Sequence, residues 1–459
     1  MLTYELKKSP GVPLYEALYR CIREDILSGV LPANHKLPSK RALCANLKVS
    51  KITVETAYNQ LLSEGYIRSQ EKVGYFVEEV SCPIEQTVYV EAEQTQTEQL
   101  IDLTSNGPVK FPFSVWSKLQ REVLLDLGEQ LLAPLDHQGL PVLRQAIAAH
   151  LRQFRGMRVD PENILIGAGT DFLYNVLIQL LGRDRCYAVE EPGYGKIRKI
   201  YAAAGAGCIS APMDDAGVIP EELGNAHILH ISPSHHFPTG LVTPLTRRQE
   251  LLMWAQSQPG RYIIEDDYDS EFRFDAHPMP TMQSLDREER VIYMNTFSKT
   301  LAPSIRVSYM VLPPQCMEAF HQKLGFYSCT VPSFQQYTLA RFIERGYFEK
   351  HLNRMRKFYK SRRNRILNAL ANCPFKEHLT VQEENAGLHF LLKADVAMAD
   401  EELIEWCRDI GFRVQTLGEF YHSQVPQSAR GQLVINYSGL SDQDLEQLEQ
   451  KLSGKEQNK

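Results

Sequence analysis

Residues 293–306 read YMNTFSKTLAPSIR, and this stretch decides how the larger part of the chain folds. Lys299 stands between Ser298 and Thr300, and Arg306 follows seven positions later. A buried lysine with a lowered pKa attacks an aldehyde and forms a Schiff base, whereas hydroxyls and an arginine suit a phosphate dianion. The stretch therefore indicates a site for pyridoxal phosphate (PLP), a phosphorylated aldehyde. Taken alone it is more typical of a surface lysine in a polar loop, so the remaining sequence has to distinguish the two.

Other segments offer the remaining groups that PLP needs: a carboxylate for the pyridine nitrogen, a phosphate cradle and a partner for the ring face. Asp266 follows the predicted strand 262–265, where it is placed to keep the pyridine nitrogen protonated. Tyr268 is placed to hydrogen-bond the phenolic oxygen, and Tyr194 to lie against the ring. The candidate phosphate ligands are Thr170 with its glycine turn, Thr296, Ser298 and Arg306. Each residue alone has a simpler explanation, such as loop packing for Tyr194, but their order on strand ends favours the cofactor.

From residue 101 onward, helical stretches alternate with short apolar runs, which is the pattern of an α/β sheet. A strand over 164–166, the turn GAGT at 167–170 and a helix over 170–181 offer an anion site made of backbone N–H groups, although an ordinary βα loop gives the same pattern. Further helices are predicted over 140–152 and within 336–370, and further strands over 186–189, 227–231, 262–265, 291–294 and 307–311. The segments after them predict a small C-terminal α+β subdomain.

Composition places the chain among soluble globular proteins, with 43% hydrophobic and 23% charged residues. Its 459 residues suggest about two or three domains. There is no run of about 18 apolar residues to predict a membrane span, and the first residues have no apolar core of the signal-peptide type. The nine cysteines show neither CxxC pairs nor zinc-type spacing, so we expect reduced thiols in a cytoplasmic protein.

The adjacent His235 and His236 superficially suggest a metal site. Neighbours in a turn point apart, however, and no third ligand is spaced for them. We therefore expect no metal.

A basic segment lies near the N-terminus of this otherwise acidic chain. Residues 34–72 hold seven basic and three acidic side chains, a local net charge of +4, whereas the whole chain carries −6. Such an imbalance is the expected footprint of contacts to nucleic-acid phosphates, although a solvated charged face looks similar.

The apolar pattern of this region predicts a helix-turn-helix followed by a wing. An amphipathic helix over 13–29 precedes two shorter helices, the second of which is capped by Ser50. In a helix-turn-helix the second of two helices joined by a tight turn enters the major groove. Short strands over 66–68 and 75–77 flank Gly74 and predict the wing.

Residues 37–77, LPSKRALCANLKVSKITVETAYNQLLSEGYIRSQEKVGYFV, resemble the winged helix of GntR-type bacterial repressors. The resemblance implies contact with double-stranded operator DNA, with the wing near the minor groove. The implied contacts are Lys40, Arg41, Ser50, Lys51, Thr53, Thr56, Lys72 and Gly74. Lys51 stands where the family often has arginine, and a lysine holds a phosphate but lacks the bidentate fork for guanine.

Five segments of the remaining chain resemble, in order, the fold-type I aminotransferase domain. They read GAGTDFLYNVL (167–177), EEPGYGKIRKI (190–200), SPSHHFPTG (232–240), EDDYDSEFRF (265–274) and NTFSKTLAPSIR (295–306). With the winged helix in front, the chain is similar to the MocR/GabR family of PLP-binding transcriptional regulators.

This resemblance implies a winged-helix domain over 1–80 and a PLP-binding effector domain over 101–459. It also implies an internal aldimine between PLP and Lys299, a head-to-tail homodimer, and an effector that is PLP itself or a PLP adduct with an amino compound. Residues 81–100 hold four glutamates and no basic residue, which predicts a flexible linker between the domains.

Two positions depart from the family. Val434 stands where aminotransferases and amino-acid-sensing regulators carry an arginine for the ligand carboxylate, and a valine cannot pair that charge. Arg430 and Lys196 are the alternatives for this role. His236 stands where many of these regulators have glutamine.

A second class of function stays open, namely an active aminotransferase with an accessory N-terminal domain. The residues for PLP chemistry are all present, so slow half-reactions are compatible with the sequence. Val434 argues against efficient turnover of α-amino acids, because the carboxylate orients the bond at Cα for cleavage. We therefore expect a regulator that uses its aminotransferase-like domain as a sensor.

Overall fold

The computed structural model describes residues 4, 13–70, 73–79, 100–105, 110–274, 279–382 and 387–453. The chain divides into two compact units, Met1–Thr95 and Gln96–Lys459. Apart from Leu100, the predicted linker 81–100 lies outside the described residues. Within the described ranges, no helix combines the length and the apolar character needed to cross a membrane.

The first unit packs three helices against a small sheet. Its elements are, in chain order, α1 (Leu14–Leu27), β1 (Lys36–Leu37), α2 (Lys40–Leu47), α3 (Lys51–Ser63), β2 (Ile67–Gln70) and β3 (Gly74–Val77). The strands pair antiparallel in the order β1-β3-β2. Helices α1 and α3 bury their apolar faces together, with Leu18, Ile22, Val54 and Leu61 fully enclosed. The predicted winged helix-turn-helix is confirmed.

Local chemistry sets the tight turn between α2 and α3. Lys48 ends α2 with a left-handed φ of 53°. The side chain of Ser50 then accepts a hydrogen bond of 3.1 Å from the backbone N–H of Thr53, which satisfies one of the free donors in the first turn of α3. At the wing, Gly74 opens β3 with a φ of 133°, a conformation that favours glycine.

The second unit alternates helices and strands. Its helices are α4 (Phe113–Leu127), α5 (Pro141–Arg155), α6 (Thr170–Leu181), α7 (Gly195–Ala203), α8 (Leu245–Gln256), α9 (Met282–Leu285), α10 (Phe297–Thr300), α11 (Pro314–Leu324), α12 (Ser333–Glu344), α13 (Tyr347–Ala371), α14 (Asp400–Asp409) and α15 (Asp442–Leu452). Its strands are β4 (Ile101–Asp102), β5 (Ile164–Gly167), β6 (Cys186–Glu191), β7 (Gly207–Asp214), β8 (Gly217–Val218), β9 (Ile228–Ile231), β10 (Tyr262–Asp266), β11 (Val291–Thr296), β12 (Ser308–Val311), β13 (Leu379–Gln382), β14 (His389–Ala394), β15 (Phe412–Arg413), β16 (Gln415–Thr416) and β17 (Gln432–Asn436).

Eight strands form the large sheet in the order β5-β12-β11-β10-β9-β6-β7-β8. Strands β11, β10, β9, β6 and β7 run parallel, whereas β12 is antiparallel to both of its neighbours and β8 is antiparallel to β7. Alternate residues enter different cores: Ile164 and Ile166 of β5 pack in one, and Leu165 packs in another. The strands therefore read as continuous apolar runs, because both faces of the sheet are covered.

The smaller C-terminal part holds the antiparallel sheet β13-β14-β17-β16, which confirms the predicted α+β subdomain. The helical region predicted within 336–370 is two helices, because Gly346 adopts a left-handed φ of 70° between α12 and α13. In the large sheet, Asp266 at the end of β10 pairs with Met294 of β11, which leads into Lys299. The predicted site residues thus meet where the parallel strands end, the usual position of ligand sites in α/β sheets.

Candidate cofactor site and DNA-reading helix

Asp266 is buried at the carboxyl end of β10 and is held on one side only. The hydroxyl of Tyr174, on α6, donates a hydrogen bond to Oδ2 of Asp266. His230 Nε2 lies 3.6 Å from the same oxygen. The other oxygen, Oδ1, is also buried and finds no hydrogen-bond partner among the described residues. An anchored carboxylate with one unsatisfied buried oxygen fits a partner that brings an N–H, as a protonated pyridine nitrogen does.

Tyr174 and His230 were not predicted from the sequence, although the spacing of Tyr174 from Thr170 carried a signal. Burial, with Asp266 beside it, raises the pKa of Tyr174, which keeps the phenol protonated as a donor. Tyr174 lies four residues after Thr170, and this spacing places both on one face of α6. His230 lies on β9, and its Nδ1 is 2.6 Å from the hydroxyl of Tyr201. Side chains on α6, β9 and α7 therefore fix the orientation of the Asp266 carboxylate.

Lys299 lies on the short helix α10, directly after β11, and is partly buried. Burial lowers the pKa of its amine, while the carboxylates of Asp269 and Asp266 act in the opposite direction. Its Nζ is 5.9 Å from the centre of the Tyr268 ring. A lowered pKa increases the fraction of free amine at neutral pH, and the free amine is the form that attacks an aldehyde.

The N-terminus of α6 forms a second part of the site. Gly169 precedes Thr170 with a φ of 91°, and a Cβ there would lie 2.2 Å from Nη2 of Arg306. The guanidinium therefore lies directly against the backbone of Gly169, beside the free N–H groups of the first helical turn. Arg306 Nη2 is also 3.4 Å from the carboxylate of Asp171. A helix N-terminus together with an arginine suits a phosphate group.

The two hydroxyls predicted as phosphate ligands differ in their environments. Thr296 caps α10: its Oγ1 accepts from the backbone N–H of Ser298 at 3.1 Å and from the hydroxyl of Ser308 at 2.8 Å. Ser298 Oγ is buried and has no hydrogen-bond partner in the part of the chain that the structure describes. Ser298 is thus available to a ligand, whereas the geometry of Thr296 favours a positioning role.

The two predicted aromatic partners are also placed differently. Tyr268 is partly buried, and its hydroxyl is 3.4 Å from Nδ1 of His235. Tyr194 is 51% exposed and meets Phe237 edge to face, with 5.9 Å between the ring centres. Tyr194 therefore keeps a largely open face at the start of α7.

Val434 is buried on β17, packed among Leu391, Leu417 and Ala429 in an apolar cluster. Of the two alternatives for a carboxylate partner, Lys196 pairs with Asp171 at 2.8 Å, and Arg430 is exposed. The departure at His236 has a local consequence. Burial lowers the pKa of His236 to about 3, and its Nδ1 lies 2.7 Å from the hydroxyl of Thr239, so this imidazole is neutral.

The predicted DNA contacts of the first unit differ in their exposure. Arg41, Ser50 and Lys51 are exposed, and Thr53 and Thr56 are partly exposed. Lys40, by contrast, is paired with Glu55 at 2.9 Å and lies 5.5 Å from the centre of the Tyr75 ring. Of the predicted wing residues, Gly74 begins β3 and Lys72 lies outside the described residues.

Ile52 was not among the DNA contacts predicted from the sequence. Its side chain is 75% exposed in the first turn of α3, next to Lys51. A large apolar side chain in that position lies on the helix that reads the major groove in helix-turn-helix proteins.

Comparison with known proteins shows which family each unit is similar to. The family of bacterial regulatory proteins of the GntR type matches residues 14–77, and aminotransferase class I and II matches residues 98–452. The uncharacterized HTH-type transcriptional regulator YdeL of Bacillus subtilis is 36% identical over 453 residues, 97% of each chain. The probable rhizopine catabolism regulatory protein MocR of Rhizobium meliloti is 32% identical, over 95% of this chain and 92% of that protein.

Two further comparisons match about four-fifths of the chain. The HTH-type pyridoxine biosynthesis transcriptional regulator PdxR of Corynebacterium glutamicum is 31% identical over 82% of each chain. The crystal structure of the multiple substrate aminotransferase from Thermococcus profundus superposes with a TM-score of 0.68 at 24% identity, covering 78% of this chain and 91% of that one. The latter shows the fold alone. The chain belongs to the MocR-type family of transcriptional regulators, in which a GntR winged helix precedes an aminotransferase-like domain whose cofactor is pyridoxal phosphate.

Proposed function

We propose that this chain is a PLP-responsive transcriptional regulator in which Lys299 holds the cofactor covalently. The cofactor, alone or joined to an amino compound, acts as the signal that changes DNA binding. The observation that carries the proposal is the buried Oδ1 of Asp266, which has no hydrogen-bond partner among the described residues, in a chain whose first unit holds a helix-turn-helix. An unsatisfied buried carboxylate oxygen is destabilising, which argues for a ligand that completes it.

Each residue of the site has a defined part. When bound, PLP supplies an aldehyde that captures amines and a ring that withdraws electrons. Asp266 holds the proton on the pyridine nitrogen, and Tyr174 keeps that carboxylate in place. Arg306 and the first turn of α6 neutralise the phosphate. Ser298 adds a hydroxyl to that cradle, and Thr296 holds the turn in which Ser298 lies.

The nature of the effector follows from Val434. The side chains around it are apolar, so an α-carboxylate there would be buried without a cation. Lys196 is engaged by Asp171. PLP itself, or an amino compound recognised without a carboxylate partner at Val434, is therefore the effector we infer.

The first unit reads the operator through α3. Arg41 and Lys51 contact phosphates, and Thr53, Thr56 and Ile52 face the base edges of the major groove. The apolar Ile52 suits the methyl group of thymine. The chain acts in the cytoplasm as a head-to-tail homodimer, and the effector changes which pair of operator half-sites the dimer spans.

The decisive experiment follows cofactor and DNA together. An operator is first selected from a random duplex library with the full-length protein. PLP is then titrated into PLP-free protein while the absorbance of the lysine-linked cofactor and the operator affinity are recorded. We expect operator affinity to change by roughly 5- to 150-fold as the site fills. Unchanged DNA binding at full occupancy would exclude PLP as the sole effector.

An active aminotransferase is the second candidate, because Lys299, Asp266 and Tyr268 are all in place. Steady turnover of an amino acid with a keto acid at about 1 per second or faster would favour it over a sensor. A single half-reaction without turnover fits the regulator.

A further inference from the structure

Three buried side chains from distant segments converge beside the cofactor site. His235 follows β9, Asp269 follows β10, and His389 begins β14. Their exposed fractions are 2%, 2% and 3%. One nitrogen or oxygen from each can be chosen so that all three atoms lie within 4.8 Å of one another. This cluster, His235–Asp269–His389, has the size of a metal-binding site.

The two histidines of this cluster are not the adjacent pair His235 and His236 that the sequence suggests. The adjacent His236 turns away, with its Nδ1 at 2.7 Å from Thr239 Oγ1. The second imidazole comes instead from His389, whose ring centre is 4.6 Å from that of His235. Two histidines so far apart in sequence show no ligand spacing, so this pair could not be recognised as a metal site from the sequence.

Some ring nitrogens of His235 and His389 have a hydrogen-bond partner and others have none among the described residues. His235 Nδ1 lies 2.8 Å from Oδ2 of Asp269. The Nε2 atoms of both His235 and His389 are buried and have no hydrogen-bond partner among the residues described. A nitrogen and a carboxylate oxygen as close together as His235 Nδ1 and Asp269 Oδ2 can bind one ion side by side, and the unpartnered Nε2 of His389 offers the third ligand atom.

The position of His235 is fixed by its surroundings. Gly387 has a φ of 70°, and a Cβ there would lie 1.7 Å from Cε1 of His235, so the glycine backbone rests directly on the imidazole. Gly387 is itself held by hydrogen bonds from its N–H to Phe272 O at 3.2 Å and from the hydroxyl of Tyr437 to its carbonyl at 2.7 Å. The ring cannot rotate freely, and a pre-organised site results.

We propose that His235, His389 and Asp269 bind one divalent transition-metal ion of the zinc class. Two imidazoles and one carboxylate suit Zn²⁺ and its neighbours, whereas Mg²⁺ and Ca²⁺ prefer oxygen ligands alone. Three protein ligands leave a coordination position for water or for a group of the effector.

A bound ion would act on the cofactor site through Tyr268. The hydroxyl of Tyr268 is 3.4 Å from His235 Nδ1, and the ring of the same residue lies 5.9 Å from Nζ of Lys299. The metal and the cofactor would therefore share one phenol, and each is expected to change the affinity of the other.

The test uses the full chain, treated with a chelator, in PLP-free and PLP-loaded forms. Co²⁺ is added alone and followed by its visible absorption, and Zn²⁺ binding is measured by calorimetry. We expect one ion per chain, with affinity reduced more than about 100-fold in His235→Ala, His389→Ala and Asp269→Asn, because a lost ligand costs more than the roughly 10- to 100-fold of a lost outer-shell partner. His378→Ala removes an exposed histidine and serves as the control that leaves binding unchanged.

Circular dichroism and thermal unfolding show whether each variant is folded, and Asp269→Asn preserves side-chain size. Lack of stoichiometric binding by the wild-type chain would overturn the proposal, and so would binding that His389→Ala and Asp269→Asn leave intact. The cluster would then serve as a hydrogen-bonded support for Tyr268. Either result leaves the regulator proposal standing, because that proposal is tested by PLP and operator binding without metal.

Discussion

The hydroxyl of Tyr174 is hydrogen-bonded to Oδ2 of Asp266, and it leaves Oδ1 of that carboxylate buried and unpartnered within the described part of the chain. The pair joins α6 to β10 across 92 positions of sequence. It sets the direction in which the free oxygen points and thereby, under the proposed function, the place where a protonated ring nitrogen would bind. The same helix begins at Thr170, beside Arg306, so a single element lies next to both the Asp266 carboxylate and the Arg306 guanidinium.

Replacing Asp266 with asparagine removes the charge but keeps the shape. We expect PLP affinity to fall roughly 10- to 100-fold, because the bond to the pyridine nitrogen loses its charge assistance. The absorbance maximum of the bound cofactor should shift as the ring nitrogen loses its proton. Tyr174→Phe is the matched control, since it keeps the carboxylate and weakens only its anchor, with a smaller effect. Equal affinity and spectra in wild type and Asp266→Asn would assign the nitrogen to another partner.

Lys299→Ala should abolish the covalent link and leave the fold intact. After reduction with borohydride, mass spectrometry of the wild-type chain should find the cofactor on the peptide that contains Lys299. The variant should carry none. Lys196→Ala provides the comparison, because Lys196 is half-exposed and paired with Asp171. Labelling of a different lysine in the wild type would show that the covalent partner has been misassigned.

The sequence predicted the residues whose roles follow from neighbours along the chain. Asp266 ends one buried strand and Lys299 lies in the short helix directly after another, and parallel strand ends meet at one edge, so their convergence could be foreseen. The capping role of Thr296 is equally local, since it involves Ser298. Thr296 was nevertheless predicted as a phosphate ligand and not as a helix cap.

Contacts between residues far apart in the sequence could not be predicted from their neighbours along the chain. The bond between Tyr174 and Asp266, and the approach of His389 to His235, depend on how helices and strands pack in three dimensions. Lys40 is a related case: its pairing with Glu55 arises because α2 and α3 fold against each other, which gives this predicted DNA contact a partner within the first unit.

Arg41→Ala should weaken operator binding and reduce its salt dependence. Arg41 is exposed at the start of α2, and each lost phosphate contact lowers the slope of log affinity against log salt by about 0.9. Fluorescence anisotropy at several salt concentrations measures both quantities. Arg20→Ala removes the same charge from the exposed surface of α1, where Arg20 pairs with Glu16, and should leave the slope unchanged. An unaltered slope in Arg41→Ala would place the phosphate contact elsewhere.

Ile52 is expected to discriminate thymine from uracil. If its side chain packs on a thymine methyl, replacing that dT with dU costs the wild-type protein about fourfold in affinity, from about 0.8 kcal/mol per buried methyl-sized group. Ile52→Ala should bind both duplexes equally, and the double-mutant cycle isolates the contact. Val30→Ala removes another exposed apolar side chain and should keep the wild-type preference. The same dU effect in wild type and Ile52→Ala would exclude Ile52 from base recognition.

His150 makes the stability of the second unit depend on pH. Burial, with Arg356 and Arg155 nearby, lowers its pKa from 6.5 to about 4, and its ring packs against Phe154 and Phe348. Between pH 6.5 and about pH 4, His150 binds a proton in the unfolded chain but not in the folded chain. Stability is therefore retained above pH 6.5 and lost as the pH falls toward 4.

The free energy of unfolding should drop by about 2 kcal/mol between pH 6.5 and pH 5 through this residue alone. His150→Gln lowers stability at neutral pH because the ring contacts are lost, but it should remove about one proton from the pH dependence. Urea unfolding at a series of pH values measures the difference between wild type and variant. His378→Gln, which changes an exposed histidine, should keep the wild-type slope. A slope in His150→Gln equal to that of the wild type would mean that His150 is protonated in the folded chain, and the acid sensitivity would then belong to other buried groups.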